Sequence, residues 1–222
     1  MKLAAIIQAR TLAFIELYDL DPRGKAFFPD SITRIAERYG FLQVPKPSEA
    51  DEQKGVELKT GKHGDKVIDV LKIFETLLVV ETHSNTSDSQ AILEDMLNWG
   101  KKDLGLTFEP SMIRNWAYVS ILTFYSNVNL VAHANSPAMR LAAKVTESVS
   151  KIWNEKISYD PRNLVISHDP MTRKNTVASF SILPRSESPY SENKFYSEAP
   201  LPTDMHIKFL EEFEADVLAA SK

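Results

Sequence analysis

Glu81-Thr82-His83 carries the densest chemistry in this chain. Alternate side chains of a strand share a face, so Glu81 and His83 point the same way at the end of the β-branched run 76–82. A carboxylate beside an imidazole can serve as a general acid–base pair or as two metal ligands. Ser84-Asn85-Thr86-Ser87 follows at once. In open sheets, ligands and anions collect where a strand ends and a helix begins. A plainer role fits the same residues: polar groups mark where a strand leaves the core, and hydroxyls cap the next helix. His133, His168 and His206 are dispersed, and His168-Asp169 joins His83 only if the fold brings them together. The catalytic reading is therefore a small hydrolase, metal-assisted in one form, built from Glu81, His83, His168 and Asp169.

Two other patterns carry less. Glu57-Leu58-Lys59 has the carboxylate–x–lysine spacing with which metal-dependent nucleases hold a cation and steady a phosphate, but a further acid has to converge, with Asp65 and Asp69 the nearest in sequence. Gly61-Lys62-His63-Gly64 has glycine near lysine but lacks the spacer and the Gly-Lys-Ser/Thr ending of a phosphate loop, and reads as a hairpin turn. All seven glycines fall between Gly24 and Gly105, and no serine is bracketed by glycine as in a nucleophile elbow. With no cysteine, disulfides, thiolate catalysis and cysteine-ligated metals are excluded. No cofactor and no metal site is expected.

The elements that must position these residues are legible in outline. Residues 10–18 read as a strand, with 3–9 either extending it or opening a helix. Asp30 or Ser31 caps a helix with Ile32, Ile35, Ala36 and Tyr39 inward, and Gly40 suits its left-handed end. Strands follow at 56–60, 67–74 and 76–82. A helix over 88–99 is expected to start with the Ser87/Gln90 capping pattern and to stop at Gly100. Residues 112–125 form a strand, with a shorter one possible at 128–133. Ser136-Pro137 opens the longest helix, to about Asn154, whose stripe is Leu141, Val145, Val149 and Ile152. Two strands at 164–167 and 176–183 precede a final helix after Thr203 that presents Ile207, Leu210, Phe213 (or Glu214 beside it) and Val217. Trp99, Trp116 and Trp153 sit in periodic segments and are expected in the core.

These elements predict an α+β fold, a largely antiparallel or mixed sheet packed against three to four helices, in a single globular domain spanning 1–222. Residues 184–202 stand apart. Pro184, Pro189, Pro200 and Pro202 punctuate a polar stretch, which reads as an irregular surface arm exposing Tyr190, Phe195 and Tyr196. Aromatics of that kind are favoured at interface centres.

The formal charge of -4 disfavours a generic nucleic-acid binder, whose phosphate contacts need a basic face, and does not ask for a local patch. The apolar start is interrupted by Gln8 and Arg10, too early for a secretory leader, and the sequence holds no uninterrupted membrane-length apolar run. The reading is thus a soluble, cytoplasmic, non-catalytic interaction or assembly component. It works through a protein partner or self-association at Tyr190, Phe195 and Tyr196, aided by the acidic last helix, with the small hydrolase as the alternative.

Overall fold

The computed structural model describes residues 1–24, 26–49, 51, 54–133, 136–169, 171 and 177–220. The fold is α+β, an antiparallel sheet flanked by helices. The strands are β1 (Lys2–Phe14), β2 (Val56–His63), β3 (Lys66–Phe74), β4 (Leu77–Thr82), β5 (Asn115–Tyr125), β6 (Leu164–Ile166), β7 (Phe180–Pro184) and β8 (Lys194–Ala199). Hydrogen-bonded neighbours run β2-β3-β4-β1-β5-β8-β7-β6. The helices are α1 (Leu17–Leu20), α2 (Phe28–Tyr39), α3 (Thr86–Trp99), α4 (Leu130–His133), α5 (Ser136–Trp153) and α6 (Thr203–Ala220). Among the described residues no helix is long and apolar enough to cross a membrane. The chain divides into two compact units, Ile6–Ser120 with Leu201–Thr203, and Met1–Ala5 with Ile121–Pro200 and Asp204–Lys222.

In the first of these units, β2, β3, β4 and β1 set Leu58, Leu71, Val80 and Ala13 against Ile32, Ile35, Ile92 and Leu93 of α2 and α3. β1 takes in residues 3–9, one of the two readings the sequence left open, and ends earlier than expected, because Ile15 and Leu17 donate to the β3–β4 turn before the chain coils into α1. Gly40 takes φ 60° and closes α2 as expected. Gly100 does not stop α3. It is right-handed, and the helix widens into a π turn over Gly100–Leu104 that ends at Gly105, φ 73°.

In the other unit the largest departure is β8. Residues 194–199, expected inside an irregular arm, form a strand paired antiparallel to β7, with Leu183 opposite Tyr196 and Pro184 opposite Phe195. Its inward residues are Phe195, Ser197 and Ala199. Two of the three are small, so the alternation that marks a strand is faint in hydrophobicity alone. Its flanking prolines sit at strand ends, where no ladder hydrogen bond is lost. On α6, Leu210 and Val217 are buried as expected, with Glu214 rather than Phe213 between them, and His206 is buried in place of Ile207. The strand expected over 176–183 begins at Phe180, and its first residue, Thr176, lies outside the described residues.

Candidate functional site

Glu81 lies on β4 and His83 one residue beyond its end, and an irregularity in the neighbouring hairpin adds a third group. Leu58 and Gly61 of β2 are both buried although they are three positions apart, a spacing that puts residues of a regular strand on opposite faces, and so are Ile68 and Leu71 of β3. The inward alternation slips by one at Thr60, whose φ of 59° is rare for a β-branched residue. Glycine is required next to it, since a Cβ on Gly61 would lie 2.5 Å from the Phe41 ring. The slip in β3 turns Asp69 towards Glu81 and His83.

Glu81 is buried at 8% exposure. Its Oε1 accepts from Arg10 Nε at 2.8 Å and its Oε2 from Gln8 Nε2, both on β1. His83 is open to solvent, its side chain 67% exposed. Its Nδ1 lies 2.6 Å from the Ile7 carbonyl oxygen; that oxygen can only accept, so Nδ1 carries a proton. Nε2 lies 3.4 Å from Asp69 Oδ1. Burial raises the Asp69 carboxyl above its ordinary range and Glu81 adds to the rise, against the opposing pull of His83. The sequence set Asp69 beside the Glu57 pattern and not beside His83, because a regular strand would have turned it inward. Among the described residues no three histidine or acidic side chains are placed to hold a metal ion together.

The helix start beyond His83 has no open amides for an anion. The Thr86 N–H donates to Thr203 Oγ1 at 3.1 Å and the Ser87 N–H to Asn85 Oδ1 at 2.9 Å. The next two amides, of Asp88 and Ser89, donate to the Asn85 carbonyl. Thr203 N–H in turn donates to Thr86 Oγ1 at 2.9 Å. Two helix N-termini thereby cap each other across 117 residues of sequence. These hydroxyls act as caps, the plainer of the two sequence readings.

His168 and Asp169 lie in the other unit. His168 Nδ1 faces the Asp169 carbonyl at 3.0 Å, and Nε2 accepts from the Val177 N–H at 3.4 Å, so both ring nitrogens serve the local backbone. The side chain of His133 lies outside the described residues. His206, which sequence spacing left unmarked, pairs with a serine: its Nε2 is 2.8 Å from Ser197 Oγ. That hydroxyl donates to the Ser181 carbonyl at 2.7 Å, so it accepts from the ring. Ser197 and His206 are both fully buried, and a nucleophile needs access to substrate. The pair fastens α6 to β8. The nuclease-like Glu57 is likewise engaged, between Lys59 at 2.7 Å and Lys72 at 2.8 Å. Hydrogen bonds from these two lysines hold its carboxyl below the ordinary range.

The interaction residues divide. Phe195 is 2% exposed and stacked on Phe124 at 5.6 Å between ring centres, so it is a core residue rather than a contact group. Tyr196 is half-buried on the opposite face of β8, and burial raises its phenol. Tyr190 stays exposed beneath the Arg162 guanidinium, 3.7 Å from the ring centre. The open apolar surface of this unit lies elsewhere. No described side chain of α5 is buried; Ile152 is 78% and Trp153 69% exposed, against the expectation that Trp153 is core. Within the unit that contains Ile6–Ser120, Trp99 and Trp116 pack against that unit's own core and are partly buried. Compared with protein-family models and with curated proteins, the chain matches none.

Proposed function

We propose that the chain is a non-catalytic assembly component that pairs with a second copy of itself through α5. The observation that carries this reading is the unburied stripe of that helix. Thr146 and Ser150 anchor one side of α5, through hydrogen bonds with Tyr159 and Ile157. At 100° per residue, Leu141, Val145, Ser148 and Ile152 line the side opposite. Their 4-3-4 spacing is that of a coiled-coil seam, and it reads the same in both directions. A second α5 running antiparallel therefore sets Leu141 against Ile152 and Val145 against Ser148, the self-complementarity a two-fold interface needs. β6, paired with β7, also leaves Val165 and Ile166 exposed, and an open strand edge is a template for a further chain.

Light scattering coupled to size exclusion is expected to give the mass of two chains at about 100 μM. Leu141→Glu with Ile152→Glu is expected to give one chain with an unchanged circular dichroism spectrum, because neither side chain is buried within its own chain. A wild-type mass of one chain, or a double variant that stays paired, overturns the reading.

A second reading, a small hydrolase with Glu81 and His83 at its centre and His168 and Asp169 as further members, draws on the approach of Asp69 to His83. It requires the Nε2 of His83 to leave Asp69 and take a proton from a nucleophile. Turnover of p-nitrophenyl acetate that falls about 100-fold in His83→Gln is the result it expects. Equal rates in the two proteins dispose of it.

A further inference from the structure

The unit formed by Ile6–Ser120 with Leu201–Thr203 contains a cavity of about 370 Å³, within the range of small-molecule sites. Its floor is core: Ile32 and Ile35 of α2, Leu78 of β4 and Leu97 of α3, all buried. Its walls are apolar too, and half-buried: Leu17 of α1, Phe28 at the start of α2, and Leu104 and Leu106. The last two flank Gly105, where the π turn that follows α3 ends, and such turns are frequent at functional sites. Leu106 N–H donates to the Gly100 carbonyl and Thr107 N–H to the Leu20 carbonyl, which holds this wall beside α1. Gly100 permits the fold-back, since a Cβ there would meet Leu106 Cδ1 at 3.0 Å.

Among the described residues, the polar side chains that line the cavity are Tyr18, Asp21, Ser31 and Glu75. Tyr18 and Glu75 are exposed, at the rim. The Ser31 hydroxyl donates to the Phe27 carbonyl at 3.3 Å, and Asp21 Oδ2 accepts from the Ala26 N–H at 2.8 Å. No buried side-chain nitrogen or oxygen of the described residues lacks a hydrogen-bond partner, so none waits on the floor for a ligand. The segment Asp21-Pro22-Arg23-Gly24-Lys25 carries both signs of charge in its sequence, so a charged ligand is not what this site is built to select. What the site offers is hydrocarbon surface and space. At about 30 Å³ each, a water's share of the liquid, the volume corresponds to about a dozen methylene-sized groups. A polar atom carried to that floor loses its water and gains no side-chain partner. A hydrocarbon chain placed there gains by leaving water.

We propose that this cavity binds an uncharged, chain-like hydrocarbon compound of about eight to twelve carbons, a medium-chain alcohol being the simplest example. The chain lies among Ile32, Ile35, Leu78 and Leu97, with the polar end at the mouth. The proposal is independent of self-association, which uses the other unit.

The probes are 1-hexanol, 1-octanol, 1,8-octanediol, octylamine and octanoate, titrated into the full chain at pH 7 while isoleucine and leucine methyl signals are followed by NMR. Octanol is expected to saturate one site and to shift the methyl signals of Ile32, Ile35 and Leu97. It is expected to bind about 16-fold more tightly than hexanol, at about fourfold per methylene removed from water. The diol, which must carry its second hydroxyl to the floor, is expected to bind at least about tenfold more weakly than octanol. Octylamine and octanoate are both expected to bind several-fold more weakly than octanol, since each brings a charge to a partly dry mouth. Leu104→Trp, which fills the cavity, is expected to abolish octanol binding. Octanol that shifts none of these methyls, a diol that binds as tightly as octanol, or a charged probe that binds more tightly than octanol overturns the proposal. Those three readings come from the wild-type chain, so they hold even if Leu104→Trp fails to fold.

Discussion

Phe195→Ala is expected to lower stability by about 3–5 kcal/mol, the range for removing a buried phenylalanine side chain. Phe195 is 2% exposed and lies against Phe124 with ring planes 28° apart, so alanine leaves a void and also forfeits a stacked pair. Globular domains are stable by only about 5–15 kcal/mol in total, and the loss is therefore a large part of what the fold has. Urea unfolding followed by circular dichroism measures it as a drop in midpoint. Tyr190→Ala supplies the contrast within the same segment. Tyr190 is exposed, and its contact with Arg162 is worth about 0.5–1 kcal/mol. If Phe195 were a contact residue, its removal would leave the midpoint in place and change the mass of the assembly; that outcome would remove β8 from the core. Phe195→Leu, which keeps most of the volume, is expected to cost about 1 kcal/mol and gives a folded variant should the alanine protein not be.

Glu214→Gln is expected to cost about 3 kcal/mol at neutral pH, the low end for stripping the counter-charge from a buried ion pair. Glu214 is 4% exposed. Its Oε1 accepts from Ser126 Oγ at 2.6 Å and the Asn127 N–H at 2.8 Å, and its Oε2 from the α-ammonium of Met1. Burial acts to raise this carboxyl, but the ammonium, Ser126 and Asn127 outweigh it and hold the group below its ordinary range. The carboxyl thus gives up its proton more readily in the fold than in the unfolded chain. Its contribution to stability is full above the ordinary carboxylate range, near pH 4.3 for a free glutamate, and is lost as the pH falls through the lower value of the folded state. The gap between wild type and variant is accordingly expected to close between about pH 5 and pH 2 in urea titrations at stepped pH. A gap that stays constant over that interval would mean that the charge plays no part.

The two positions show where a sequence stops being informative. The strands around Glu81 were legible because their inward residues are large and apolar: Leu78 and Val80 on one strand, Leu71 and Ile73 on the next, announce a period of two. β8 obeys the same period, but with Ser197 and Ala199 inward it buries little hydrocarbon, and the prolines near it suggested a loop. Glu214 and His206 lie on the buried face of α6, where helical periodicity left Glu214 as an alternative to Phe213 and did not place His206. Nothing local reveals that Ser126 and Asn127, or Ser197, stand ready to pair with them. For a buried polar group the partners decide its place, and the partners are distant in sequence.

Period and capping, which are local, determined the fold class and the helix that Gly40 ends. These follow from a backbone that repeats every two or 3.6 residues whatever it packs against. Tertiary structure decided what each face meets. It turned Asp69 towards His83 through a left-handed Thr60 and filled the α3 amides with Asn85 and Thr203. It sent Phe195 inward and left Leu141 and Ile152 uncovered. A face can be read from one segment; whether that face is covered depends on a second segment, and no spacing within the first records it.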